Sequence, residues 1–146
     1  MVRRIVSQAG LLSTAIFFLA SCASTISPFD PKAYENAVSL KVGSLSLMDQ
    51  AVEPYNDHQN AVENLSTDLQ KAFEYAKGLP KNEISAAQWR IMIDPERNLL
   101  GGFLKRWAEK DTLSPVFVED AKKLVSDAFD TIIGLESGKI KSSDVR

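Results

Sequence analysis

From Asp30 onward, apolar residues recur every three or four positions, the period of helices that bury one stripe and leave the rest to water. Turn residues divide this pattern into four segments. Asp30-Pro31 opens the first, with Asp30 as N-cap and Pro31 at the first helical position, where its missing N–H costs nothing. Tyr34, Val38, Leu45, Met48 and Val52 form its stripe, with Ala37 and Ala51 beside it, and Pro54 ends it. Lys41 occupies a slot in that stripe where an apolar residue is expected; the reading is a stem laid along the stripe edge with its ammonium in water.

The second segment has the cleanest period. Tyr55, His58, Val62, Leu65, Leu69, Ala72 and Ala76 are separated by alternating threes and fours, with Phe73 alongside, and charged or amide residues fill the other face. Gly78 is the expected C-cap, Leu79 the apolar residue after it, and Pro80 the stop. The third segment starts near Ser85, whose hydroxyl with Gln88 matches a capping box. Trp89, Ile91, Met92 and Ile93 follow, then Asp94-Pro95 bends or restarts the helix before Leu99, Leu100, Phe103, Leu104 and Trp107. Gly101-Gly102 lies inside this run and points to a close backbone approach or a local break. Ser114-Pro115 opens the fourth segment, with Val118, Ala121, Val125, Ala128, Ile132 and Leu135 as its seam, widened by Phe117, Leu124 and Phe129, and closed by Gly138. No stretch alternates with the period of two that a sheet requires. The pattern predicts an all-α fold: an up-down-up-down four-helix bundle with a kinked third helix, over residues 31–140, then a polar tail over 141–146.

Residues before Asp30 read differently. Arg3 and Arg4 make a positive start, Leu11 to Ala20 is an apolar run broken only by Ser13 and Thr14, and small residues lead to the one cysteine of the chain, Cys22. The run is shorter than the roughly 17–25 residues of a spanning helix, and no second apolar segment of that length follows. The expectation is a signal peptide over 1–21, with a tether of small and polar residues over 22–30. The full chain of 146 residues carries a formal charge of −2, and loss of Arg3 and Arg4 makes the remainder two units more negative. A mildly acidic domain has no electrostatic reason to bind nucleic acid or anionic lipid. A lone cysteine also excludes an internal disulfide.

Leu19-Ala20-Ser21-Cys22 resembles the lipobox of bacterial lipoproteins. Ordinary cleavage beside Cys22, leaving a free thiol, is the competing reading, and the order of residues fits the lipobox better. The resemblance implies that Leu19, Ala20 and Ser21 are the recognition residues and that Cys22 becomes the acylated first residue of the mature chain. Two or more acyl chains anchor stably where one binds only marginally. In that class an Asp after the cysteine commonly marks retention at the inner membrane. Ala23 stands here, which implies the outer membrane, facing the periplasm.

Candidate chemistry is sparse. His58 is the one histidine and stands in the second seam, where a core or helix-end imidazole needs only one or two polar partners. Zinc requires three or four His, Cys or carboxylate ligands, and the E-x-x-H of di-iron bundles is missing because Tyr55 precedes His58 by three. No G-x-S-x-G occurs, and Gly101-Gly102 lacks the spacing of a phosphate loop. Asp94, Glu96, Glu109 and Asp111 offer carboxylates without a spacing that selects a glycosidase pair. Trp89 and Trp107 read first as core packing, and secondarily, with His58, as a ligand surface for cell-wall fragments or lipids. No cofactor or metal is called for. The expected function is a non-enzymatic, membrane-anchored module that binds an envelope protein; a ligand carrier or sensor is the alternative, and a hydrolase ranks last.

Overall fold

Asp30 and Ser114 begin the two helices that frame the molecule. Each accepts a backbone N–H three residues on, Ala33 N to Asp30 Oδ1 at 2.9 Å and Phe117 N to Ser114 Oγ at 3.3 Å, and each is followed by a proline at the first helical position. The computed structural model describes residues 29–145, in which five α-helices form and no strand. They are α1 (Pro31–Asp49), α2 (Tyr55–Gly78), α3 (Glu83–Ile93), α4 (Leu100–Lys110) and α5 (Pro115–Glu136), with 3₁₀ turns at Gln50–Val52 and Ser142–Asp144. The chain is all-α, as its periodicity predicts. Leu19 to Cys22 and most of the tether lie outside the described residues.

α1 packs against α2 and α5, and α3 packs against the same two helices, while α4 rests on α3 and α2. Ion pairs Lys41–Asp130 and Asp49–Lys122 join α1 to α5 in opposite senses along the chain. Ser85–Glu136 and the edge-on pair Trp89–Phe129, 5.9 Å between ring centroids, do the same for α3 and α5. One pole is marked by Tyr75 of α2 meeting Asp30 before α1 and by Asn82 and Ser85 meeting Glu136 at the end of α5. The other is marked by Trp107 near the end of α4 meeting the Glu53 carbonyl of the α1–α2 turn, and by Leu113 N–H donating to Ala51 O.

The seam of α2 matches its sequence pattern: Val62, Leu69, Ala72, Phe73 and Ala76 are buried, and Tyr55, His58 and Leu65 are partly so. α1 differs. Its buried face is Ala33, Ala37, Ser44, Met48 and Ala51, while Tyr34 and Val52 are exposed. Small residues let α1 pack between two long neighbours, so of the expected stripe Met48 is buried, Val38 and Leu45 are partly covered, and Tyr34 and Val52 turn outward. Lys41 lies in the remaining slot with its stem partly covered and its Nζ 2.6 Å from Asp130, the arrangement its position predicts.

The expected kinked third helix is two helices, α3 and α4, separated by residues 94–99. Asp94 causes the break locally: its Oδ1 accepts the Glu96 N–H at 2.9 Å, closing a turn where Pro95 cannot continue the helix. The chain then folds back on itself. A Cβ at Gly101 would lie 2.7 Å from the Asp94 carbonyl carbon, and one at Gly102 would overlap the Arg97 carbonyl oxygen. The glycine pair is required by the return of this loop onto the first turn of α4.

One helix end departs from expectation and another follows it. Gly78 remains a right-handed residue at the end of α2, and Lys81 takes the positive φ of 59° instead. Gly138 does adopt the left-handed conformation after α5, at φ 70°, and the chain beyond it turns back so that Ile140 N donates to Gly134 O at 3.0 Å. Gly134 has no room for a side chain because Ile140 packs on it.

Candidate functional site

His58 lies in the first turns of α2, partly covered, with Nε2 2.7 Å from Glu53 Oε2 and its ring 5.5 Å from that of Trp107. The Tyr55 ring meets the same indole edge-on at 5.6 Å. Trp107 is fully buried, and its Nε1–H is shared between the carbonyl oxygens of Glu53 and Asp111, both at 3.1 Å. Tyr55 N–H donates to the Asp111 carbonyl at 2.8 Å and to its Oδ1 at 3.1 Å, and Leu113 N–H donates to Ala51 O at 2.7 Å. Asp111 itself has φ 66° and ψ −44°, outside the left-handed helical basin and in the strained region of a γ-turn. The group ties the α1–α2 turn to the end of α4. Here the imidazole partners a carboxylate and an indole, and its surroundings are those of a brace.

Trp89 is 1% exposed and packs on Phe129 in the opposite half of the core. The two indoles therefore do not form a ligand surface with His58; both are core residues, which the helical spacing favours. Neighbouring side chains cover both indoles, so neither face is open to a sugar or lipid.

The four carboxylates singled out by the sequence are dispersed. Asp94 caps the loop turn and faces Arg97 Nε at 3.7 Å. Glu96 pairs with Lys105 Nζ at 2.6 Å, and that contact raises the lysine above its ordinary pKa, with the charge of Glu96 acting in the same direction. Asp111 ends α4, one helix length from the start that Asp94 precedes. Glu109 and Glu96 rim a common groove without contacting each other. Among the described residues no three His, Cys, Asp or Glu side chains gather closely enough to hold a metal ion, and no helix is long and apolar enough to cross a membrane.

Two grooves flank α4. One of about 340 Å³ runs between α2 and α4, over Val62, Leu69 and Leu104. The other, about 440 Å³, lies between α4, the 94–99 loop and α5. Phe103 and Phe117 stack in parallel on its floor at 6.0 Å, Arg106 covers Phe117 at 4.5 Å, and Leu124 on its wall is 55% exposed. Neither groove is lined by Trp89 or Trp107.

A polar cluster that the sequence reading did not single out lies at the other pole. Glu136 is buried and accepts hydrogen bonds from the Ser85 hydroxyl and from Asn82 Nδ2 at 3.3 Å, and the same amide donates to Ala76 O at 3.0 Å. Ser85 thus spends its hydroxyl on α5, and the helix starts earlier than its capping-box pattern predicts. The signal was present: Glu136 falls four after Ile132 and seven after Phe129, an acid in an apolar slot, as Lys41 is a base in one. Ser44 Oγ is buried in α1 with no hydrogen-bond partner.

No protein-family model, curated protein or solved structure matches this chain.

Proposed function

We propose that the chain is a bacterial lipoprotein, cleaved before Cys22 and held by acyl chains on that residue, whose helical domain binds another envelope protein without catalysing a reaction. The proposal takes α1, α2, α3 and α5 as an up-down-up-down bundle, a reading supported by the opposed pairings of α1 with α5 and of α3 with α5. The Leu19–Cys22 order supports the anchor. The observation that carries the binding role is the α4–α5 groove. Its floor is a stacked phenylalanine pair, its wall is the exposed Leu124, and Glu96, Lys105, Arg106 and Glu109 form a mixed-charge rim. Apolar centres with polar rims are the anatomy of protein interfaces.

The outer-membrane, periplasm-facing location belongs to the same proposal and rests on Ala23 after the cysteine. A photo-crosslinking residue at Leu124, in intact envelopes, tests the binding role. The expected result is a discrete adduct that Arg106→Glu abolishes, with none from the same probe at Val42, an exposed residue of α1. Equal labelling from both positions, or none from Leu124, contradicts it.

A further inference from the structure

Three aromatic residues surround Asp30 at the pole where the described chain begins. Phe29 is 59% exposed and its ring lies 6.1 Å from that of Tyr34, itself 36% exposed. Tyr75 reaches across from the end of α2, its hydroxyl 3.2 Å from both Asp30 carboxylate oxygens, with its ring 39% exposed. The tyrosines stand where the α1 stripe and the α2 seam leave off, so their exposure contributes nothing to the core. Of the cations nearby, Lys32 is matched by Glu35 at 3.4 Å and Lys77 by Glu74 at 3.1 Å. The three rings form an aromatic surface, and the two tyrosines give it polar tips.

We infer that this pole, through Phe29, Tyr34 and Tyr75, rests in the headgroup layer of the bilayer that holds Cys22, and that the α4–α5 groove faces away from it. The inference deepens the lipoprotein reading and rests on it. Chain length supplies the occupant. Phe29 follows Cys22 by seven positions in the sequence, and seven residues fully extended reach at most about 25 Å. An acylated Cys22 therefore keeps Phe29 near its own membrane whatever path the tether takes. Aromatic rings with a polar edge are favoured at the interface between hydrocarbon and water. Desolvating Phe29 there removes an exposure that the domain's own packing leaves uncovered. α1 is about 28 Å long at 1.5 Å per residue, so Val116, exposed at the far pole, stands well clear of the lipid. Partition of the aromatic rings needs no charge attraction, so neutral phosphatidylcholine suffices.

The test uses the full acylated protein, purified from membranes and reconstituted into phosphatidylcholine vesicles with a nitroxide quencher on the headgroup. Tryptophan probes are placed by Phe29→Trp, by Tyr34→Trp as a second reporter of the same surface, and by Val116→Trp at the far pole. The native Trp89 and Trp107 are buried and set a baseline that lipid quenchers do not reach. The expected result is co-sedimentation of all three variants, loss of most of the added emission at positions 29 and 34, and no loss at position 116. Co-sedimentation without quenching at 29 and 34, or with equal quenching at all three positions, overturns the orientation and leaves the anchor reading standing. Failure to co-sediment overturns the anchor, and the orientation with it.

Discussion

At the pole nearest the chain start, a carboxylate, an amide and a hydroxyl (Glu136, Asn82 and Ser85) meet inside the core. At the far pole an indole gives its N–H to two loop carbonyls, those of Glu53 and Asp111, and its ring faces support Tyr55 and His58. Both arrangements close a bundle end, and they differ in which groups need satisfying. The far pole satisfies backbone carbonyls, which every sequence at those positions would carry and which must be paired wherever they are buried. The near pole satisfies one backbone carbonyl, that of Ala76 through Asn82, and otherwise side chains, of which Glu136 and Ser85 could be exchanged together for apolar ones. The indole is therefore harder to replace than the carboxylate.

The largest effect should come from Trp107→Ala. It removes a fully buried indole and leaves the Glu53 carbonyl without its donor, while Tyr55 N–H still holds that of Asp111, for a predicted loss of about 3–5 kcal/mol in urea unfolding. A loss below that of Glu136→Ala would invert the ranking of the poles. Gly102→Ala comes next, at about 1–3 kcal/mol, because its Cβ meets the Arg97 carbonyl and pushes the 94–99 loop off α4. Thermal unfolding reports it, and Gly43→Ala, with open space around the new methyl, serves as the benign comparison.

Glu136→Ala should cost about 1–3 kcal/mol, since it leaves the Ser85 hydroxyl without its acceptor. Asn82 keeps Ala76 O, so the double change Glu136→Met with Ser85→Ala should cost less than Glu136→Ala alone. A greater cost for the double variant would show that the cluster itself is indispensable. His58→Gln should cost under about 1 kcal/mol, because Glu53, its partner, is half exposed and screened by water.

The smallest effect is confined to alkaline pH. Loss of surrounding water, then the hydrogen bond to Asp30, then the charges of Asp30 and Glu136, raise Tyr75 above the ordinary tyrosine pKa of 10.0. A raised pKa means the fold favours the neutral phenol. Its contribution is present below pH 10.0 and is lost as pH rises through the higher folded value. Tyr75→Phe should remove that component of the alkaline decline, read as thermal stability against pH. An unchanged decline would place its cause elsewhere.

How much of this was legible in the sequence differs along the chain. The seam of α2 was readable because its buried residues are large and strictly spaced, and the proline-opened starts of α1 and α5 because their caps are local. The buried face of α1 was only partly so: Met48 lies on the expected stripe and Ala37 beside it, but Ala33 and Ser44 carry little hydrophobic signal and owe their burial to two neighbouring helices. Leu124 belongs to the α5 seam by spacing and is left exposed because α4 diverges from it across a groove. Asp94-Pro95 and Gly101-Gly102 announced an interruption, but the fold-back between α3 and α4 depends on contacts between those two pairs. Lys41 and Glu136 show the same lesson in both signs. A charge in an apolar slot marks either a stem that escapes to the surface or a buried acceptor, and only the partner helix decides which.

Cys22 is central to the proposed function, because its acylation would set which pole meets the membrane and which is free for a partner. Labelled palmitate fed to cells producing the chain tests this directly. The account predicts incorporation into the wild-type protein and none into Cys22→Ala, which should also keep its leader. No label in the wild type, or equal label in both, would contradict it.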